Sequence, residues 1–330
     1  MSKKMLSKLD EFKREDTTQD PKQFESLKNA GLHFLDEDRA SGHDTSRLVI
    51  QGLEQLRSLG CGPATAYLEF VTKSLAAGSK TARAAAKAAD RLGRFGDSAA
   101  QVAQGLRRLA ELDAKHRTRG LMKFLGNLSN KEAAVTNKAL ETIAGLYTKN
   151  PESGEAACSV LAIAAGHDRK EIIEATIGIL THIRESEQGL AFDLALSLEQ
   201  ALAAIPGSLA EPFLAVLNTV APSSAGSAEY LARKLPKVLS GLESDRGNRE
   251  TPRAYLELVK RIVKNLGPAS VAFCIKKLPS LATREAIDSN PKNIQNKIER
   301  VISVAKEHGR WAGLTLLLGK TKAAKRFMSK

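Results

Sequence analysis

The chain has 330 residues and 35.5 kDa, with 50 Lys and Arg against 37 Asp and Glu, a formal net charge of +13. Its 42% apolar content can build a sizeable core, which excludes a broadly disordered chain, and the length suits about two domains or one elongated array. Three cysteines, at 61, 158 and 274, exclude a disulfide-built domain and a cysteine knuckle. They suit a reducing compartment. No apolar run approaches the ~20 residues of a membrane span and the first residues lack a signal-peptide core, so the expectation is a cytoplasmic, intracellular protein with no integral membrane segment.

Residues 1–20 read as a mobile polar leader. From about residue 21 onward nearly every segment repeats apolar residues at three- and four-residue spacing, and none sustains alternation at period two, which predicts an all-α fold. Residues 1–78 hold 11 basic and 12 acidic side chains and are close to neutral. Cys61, between Gly60 and Gly62 just before Pro63, falls at a helix start, where a thiol pKa can be lowered; a quiet, partly buried thiol is the simpler reading.

Residues 79–150 carry 14 basic and 6 acidic side chains, net +8. In SKTARAAAKAADRLGR, Lys80, Arg83, Lys87, Arg91 and Arg94 fall within about 80° of one another on a continuous α-helix. Ala82, Ala85, Ala86, Ala89 and Leu92 occupy the opposite face, and Asp90 pairs with Arg94 at i+4. Arg108, Arg119 and Lys123 extend the basic surface along the next helices, the last two aligned at i,i+4. Asp113 and His116 share an i,i+3 spacing, but one pair cannot hold a metal, and no cofactor is implied.

Residues 151–229 reverse the sign, with 3 basic and 11 acidic side chains, net −8. Helix-start signals recur from residue 129 to residue 252. Ser129 with Glu132, Asp168 with Glu171 and Ser208 with Glu211 have capping-box spacing, and Thr251 with Pro252 opens the next helix. Those starts are 39, 40 and 43 residues apart, with second helices beginning near Ser153, Ser186, Ser227 and Pro268.

Residues 230–330 carry 22 basic and 8 acidic side chains, net +14. Arg253, Lys260 and Lys264 align along one helix, interrupted by Glu257, with Tyr255 on the core side. Loops 222–227 and 243–250 read as mobile, the second as a hinge. The last segment, 311–330, reads as an amphipathic basic cap or tail holding the sole Trp; an anionic membrane surface is the competing reading. Gly319–Thr321 is not a phosphate loop, because the required earlier glycine is replaced by Leu314.

A helix pair about every 40 residues resembles a right-handed α-solenoid of HEAT or armadillo hairpins, clearest over 129–281 and traceable through 21–310; the alternative is an irregular multi-helix bundle. Equivalent faces of stacked hairpins merge into one groove. The leading function is therefore a non-enzymatic protein whose Lys and Arg stripes contact the phosphate backbone of DNA or RNA. Against it stands the fact that charge runs on helices are commonly solvated faces. A second reading is a scaffold or self-assembling adaptor that pairs the acidic block with the basic ones. A third is an enzyme similar to the alkylpurine DNA glycosylases with HEAT-like repeats, which work through an acidic residue and aromatics in a concave cleft. Trp311 lies in the terminal segment, so no residue carries over from that family.

Overall fold

The structure, a computed structural model, describes residues 2–15, 21–116, 118–126, 132–167, 169–184, 188–244, 250–279 and 292–318. Among these residues every regular element is a helix and no strand occurs, as the three- and four-residue periodicity requires. Contacts divide the chain into two units, 1–173 and 174–330.

The first unit opens on α1 (Ser2–Glu15), where the sequence reading has a mobile leader. Met5, Leu9 and Phe12 lie at i, i+4 and i+7, hence on one stripe, and all three are buried. Three apolar residues suffice because Leu9 seats over Gly31 of α2 (Pro21–Ser41), where any Cβ would overlap it. Between α2 and α3 (Ser46–Leu56) the chain turns through Asp44, a non-glycine residue at φ 49°. Asp38 holds that corner. Its Oδ1 accepts from the Thr45 amide at 3.0 Å and hydroxyl at 2.6 Å, and its Oδ2 from the Ser46 amide at 3.2 Å and hydroxyl at 2.5 Å. One buried carboxylate thus supplies acceptors to the start of α3.

There follow α4 (Cys61–Leu75), α5 (Ser79–Ala86), α6 (Ala89–Gly93), α7 (Ala99–His116), α8 (Gly120–Gly126), α9 (Ala133–Lys149) and α10 (Pro151–Gly166). Pro151 takes the first position of α10 while Asn150 caps it, accepting from the Glu152 amide at 2.9 Å. Packing runs in two rows: α2–α4–α7–α9, and α3–α5–α8–α10.

The second unit takes in most of α11 (Lys170–Arg184), then α12 (Gln188–Ala204), α13 (Gly207–Val220), α14 (Ala225–Ser244), α15 (Glu250–Leu266), α16 (Val271–Lys276), α17 (Lys292–His308) and α18 (Arg310–Leu318). Its rows are α12–α14–α16 and α13–α15–α17, with α18 against α15 and α17. Two local expectations shift. Ser208 lies inside the first turn of α13 behind an extended Pro206, so it caps nothing, and 225–227 is already helix, with Ser224 Oγ accepting from the Ser227 amide at 3.2 Å. Ser129, Asp168, Ser186 and most of 243–250 lie outside the described residues.

One device occurs in both units. Ala66-Tyr67-Leu68-Glu69 in α4 reappears as Ala254-Tyr255-Leu256-Glu257 in α15. Tyr67 donates to the Ala86 carbonyl at 2.7 Å and Tyr255 to the Cys274 carbonyl at 2.6 Å, each 19 residues downstream. Between donor and acceptor the chain turns at Gly78 (φ 102°) and Gly267 (φ 76°), a region that L side chains avoid. Ion pairs also recur at one interval. Glu69–Arg107 (2.5 Å), Glu132–Lys170 (2.6 Å) and Arg261–Glu299 (3.2 Å) each join residues 38 apart. Such exposed pairs contribute about 0–1 kcal/mol each, so they mark register more than they stabilise.

Candidate nucleic-acid interface

The basic segment 79–94 is two helices rather than one. α5 ends at Ala86, the Ala88 amide bonds three residues back to Ala85 at 3.0 Å, and α6 restarts at Ala89. Ala82, Ala85 and Ala86 before the break and Ala88, Ala89 and Leu92 after it are all buried. The Tyr67 hydroxyl takes up the carbonyl freed at the break.

The five expected cations therefore do not form a single stripe. Lys80 and Arg83 stand exposed on α5, and Lys87 is exposed at its C-cap. Arg91 turns inward and donates to the Leu125 carbonyl near the end of α8. Arg94 pairs with Asp90 at 3.2 Å, the i,i+4 partner expected from the spacing.

On the neighbouring helices the cations also sort into paired and unpaired. Arg107 lies between Glu69 at 2.5 Å and Glu111 at 3.4 Å, and Lys123 pairs with Glu155 at 3.2 Å. Arg108 and Arg119 are exposed and hold no acidic partner among the described residues. In the first unit, then, Lys80, Arg83, Lys87, Arg108 and Arg119 keep their charge open to solvent.

In the second unit α15 is continuous, so Arg253, Lys260 and Lys264 share a face. Arg253 and Lys264 are exposed and Lys260 is half-buried; none has an acidic partner among the described residues, while adjacent Arg261 is engaged by Glu299 at 3.2 Å. Glu257 is exposed between them. Tyr255 is buried on the opposite side, which leaves this face without a stacking aromatic.

A cleft of about 600 Å³ opens in the first unit where the N-terminus of α5 meets the corner between α7 and α8. Gly78, Ser79, Lys80, Asp113, Thr118 and Arg119 line it. Sequence spacing places Asp113 beside His116, but the fold uses it otherwise. Its Oδ1 accepts from the Thr118 hydroxyl, from the Gly120 amide at 2.9 Å and from the Tyr147 hydroxyl at 3.2 Å, so it caps α8 across the corner. Its Oδ2 is buried without a hydrogen-bond partner. Burial raises the Asp113 pKa above the ordinary carboxylate value, although four hydrogen bonds on Oδ1 oppose it. At Asp38 burial pulls the same way, yet bonds from Ser46 and Thr45 to both oxygens outweigh it and the pKa is lowered. His116 stacks on Tyr147 with ring centroids 6.4 Å apart.

The three thiols are all buried, Cys61 included. Burial pushes Cys158 well up and Cys274 up to about 12, which suppresses the reactive thiolate. Among the described residues no three His, Cys, Asp or Glu side chains gather as a metal site, and no helix is long and apolar enough to cross a membrane. In α18, Leu314 and Leu316 are buried while Trp311 is 80% exposed; residues 319–330 lie outside the described residues. No family model, curated protein or solved structure matches the chain.

Proposed function

We propose that the chain is a non-enzymatic helical-repeat protein, a right-handed HEAT-like solenoid of helix pairs, that binds DNA or RNA through the phosphate backbone. The reading is carried by the sorting of cations in the first unit: Lys80, Arg83, Lys87, Arg108 and Arg119 are exposed with no acidic partner among the described residues, beside Arg94, Arg107 and Lys123, which are paired. Exposed, unpaired cations neutralise phosphates and release counterions without first breaking an internal pair. The two packing rows in each unit and the 38-residue ion-pair interval support the repeat part of the reading.

The test replaces Arg83, Lys87 and Arg108 together by Glu. Arg91 is left alone, because its bond to the Leu125 carbonyl ties α6 to α8. Binding to mixed-sequence duplex and single-stranded oligonucleotides should weaken uniformly across sequences. The slope of log K against log salt should flatten by roughly 2–3, about 0.9 for each B-DNA phosphate that the variant no longer neutralises. Undiminished binding by a folded triple variant overturns the site. Salt-sensitive self-association without nucleic acid, seen by light scattering, points instead to pairing between the acidic and basic blocks.

A further inference from the structure

The cation row of α15 continues onto another helix of the second unit. At 100° per residue, Arg253, Lys260, Lys264 and Gly267, the residue just past the helix end, fall within about 60° of one another, on a line about 20 Å long. Arg310, the first residue of α18, lies against the far end of that line. Its Nη1 is 3.7 Å from where a Cβ on Gly267 would stand. Three residues on, Gly313 meets the Leu266 and Ala305 side chains so closely that any Cβ would overlap them, which fixes the start of α18 against α15 and α17. Arg310 is exposed and has no acidic partner among the described residues, so it adds a fourth cation to the row.

The next residue is Trp311. It is 80% exposed, twice the exposure of Leu32 at 41%. Its carbonyl accepts from the Thr315 hydroxyl at 2.8 Å within the helix, so the indole stands on regular backbone and not on a loop. Around the corner, Lys306 is exposed without an acidic partner among the described residues. The acid there, Glu307, is engaged by the Ser303 hydroxyl at 3.0 Å and by His308 Nε2 at 3.8 Å. A flat ring among open cations matches a polymer that alternates anionic groups with aromatic faces, which is single-stranded nucleic acid. A duplex offers the same phosphates but keeps its base faces closed within the stack. A membrane surface asks for an apolar helix face. Leu314 and Leu316 turn inward, so among the described side chains of α18 only Trp311 is both large, apolar and exposed.

We infer that Trp311 is a base-stacking platform at the end of the α15 cation row and makes this face selective for single strands. Phosphates follow Arg253, Lys260, Lys264 and Arg310, and an unpaired base lies on the indole. The assignment rests on reading the exposed cations as phosphate contacts, and it adds the strandedness of the partner to that reading.

Trp311 is the only tryptophan of the chain, so its emission reports this site alone. The experiment titrates the full chain with a mixed-sequence single strand, with the duplex it forms with its complement, and with vesicles of equimolar phosphatidylserine and phosphatidylcholine. The single strand is expected to quench Trp311 saturably and the duplex to bind with little quenching. Trp311→Ala should weaken single-strand binding about 5- to 150-fold, the cost of one lost base stack, and leave duplex binding unchanged. The salt slope should not move, because no cation is removed. Trp311 is exposed, so the circular dichroism of the variant should match that of the parent. Single strands that bind without quenching, or a variant that weakens both forms equally or neither, overturn the inference. So does emission in the free chain that acrylamide cannot reach, since the ring is then covered. A blue shift with vesicles and no response to oligonucleotides also overturns it and assigns the face to membranes. The two readings fail separately. Binding that is lost in the Arg83, Lys87 and Arg108 variant but never touches Trp311 emission leaves the first-unit site standing alone; single strands held through Trp311 and indifferent to that variant leave the stacking site standing alone.

Discussion

Two aspartates do the same job with opposite electrostatic outcomes. Asp38 and Asp113 each sit in the last turn of a helix and reach across a corner to the start of the next. Asp38 has donors on both oxygens and its pKa falls below the ordinary 3.8, so it contributes stability that is present above that value and lost as the pH drops through its lowered pKa. Asp113 has every donor on one oxygen and its pKa rises above 3.8, so the folded state holds the proton more tightly than the unfolded chain. Stability therefore declines as the pH climbs from 3.8 through the raised value. Asp38→Asn turns an amide donor towards Ser46 and should cost about 1–3 kcal/mol at neutral pH in urea denaturation. Asp113→Asn keeps a carbonyl for the Oδ1 donors and removes the buried charge. It should be neutral or stabilising at pH 7 and should flatten the decline above pH ~4. An unchanged pH profile in Asp113→Asn contradicts the assignment. Neither cap follows a local capping pattern, because seven or eight residues separate the carboxylate from its amides.

Among the helices, identity was legible in the sequence and continuity was not. Apolar spacing located α11 and α15 directly, since Ile172, Ile173, Leu180 and Ile183, and Tyr255, Val259, Ile262 and Val263, are all buried. The break between α5 and α6 escaped the same reasoning. A cationic stripe at helical spacing fits one straight helix; the break is seen only in the folded chain, where five alanines and Leu92 on either side of it are buried, with α5 against α3, α4 and α8 and α6 against α3 and α7. α1 was missed for the converse reason: its charges hide a three-residue stripe whose partner, Gly31, lies a helix away. Leu9→Ala removes the middle of that stripe and should cost about 2–3 kcal/mol, with faster proteolysis inside residues 2–15. Unaltered protection of that segment shows that α1 does not depend on Leu9 for docking.

Along the full chain the charge is partitioned, with net −8 over 151–229 between net +8 over 79–150 and net +14 over 230–330. The two basic faces belong to different units and can be separated experimentally. Reversing Arg253, Lys260 and Lys264 to Glu on α15 should flatten the salt slope by less than the Arg83, Lys87 and Arg108 variant, because Glu257 already stands among the three cations and Lys260 is half-buried. A larger effect from the α15 variant, measured on the same oligonucleotide, moves the principal interface to the second unit. Its Tyr67-like donor at Tyr255 faces inward to Cys274, so the reversal leaves that anchor in place.

The helical class, the charge blocks and most apolar faces follow from the order of residues, since they depend on periodicities of three and four and on composition. The same reading places Tyr255 in the core and Arg94 with Asp90, both of which depend on neighbours within a turn. Which cations stay open is settled by packing between helices. Arg91 is spent on a carbonyl 34 residues away and Lys123 on Glu155, while Lys80 and Arg119 meet at one cleft with Asp113 in its wall. A charge's neighbours within its own helix follow from spacing; its neighbours on the next helix follow from how the hairpins pack, and no local pattern records that.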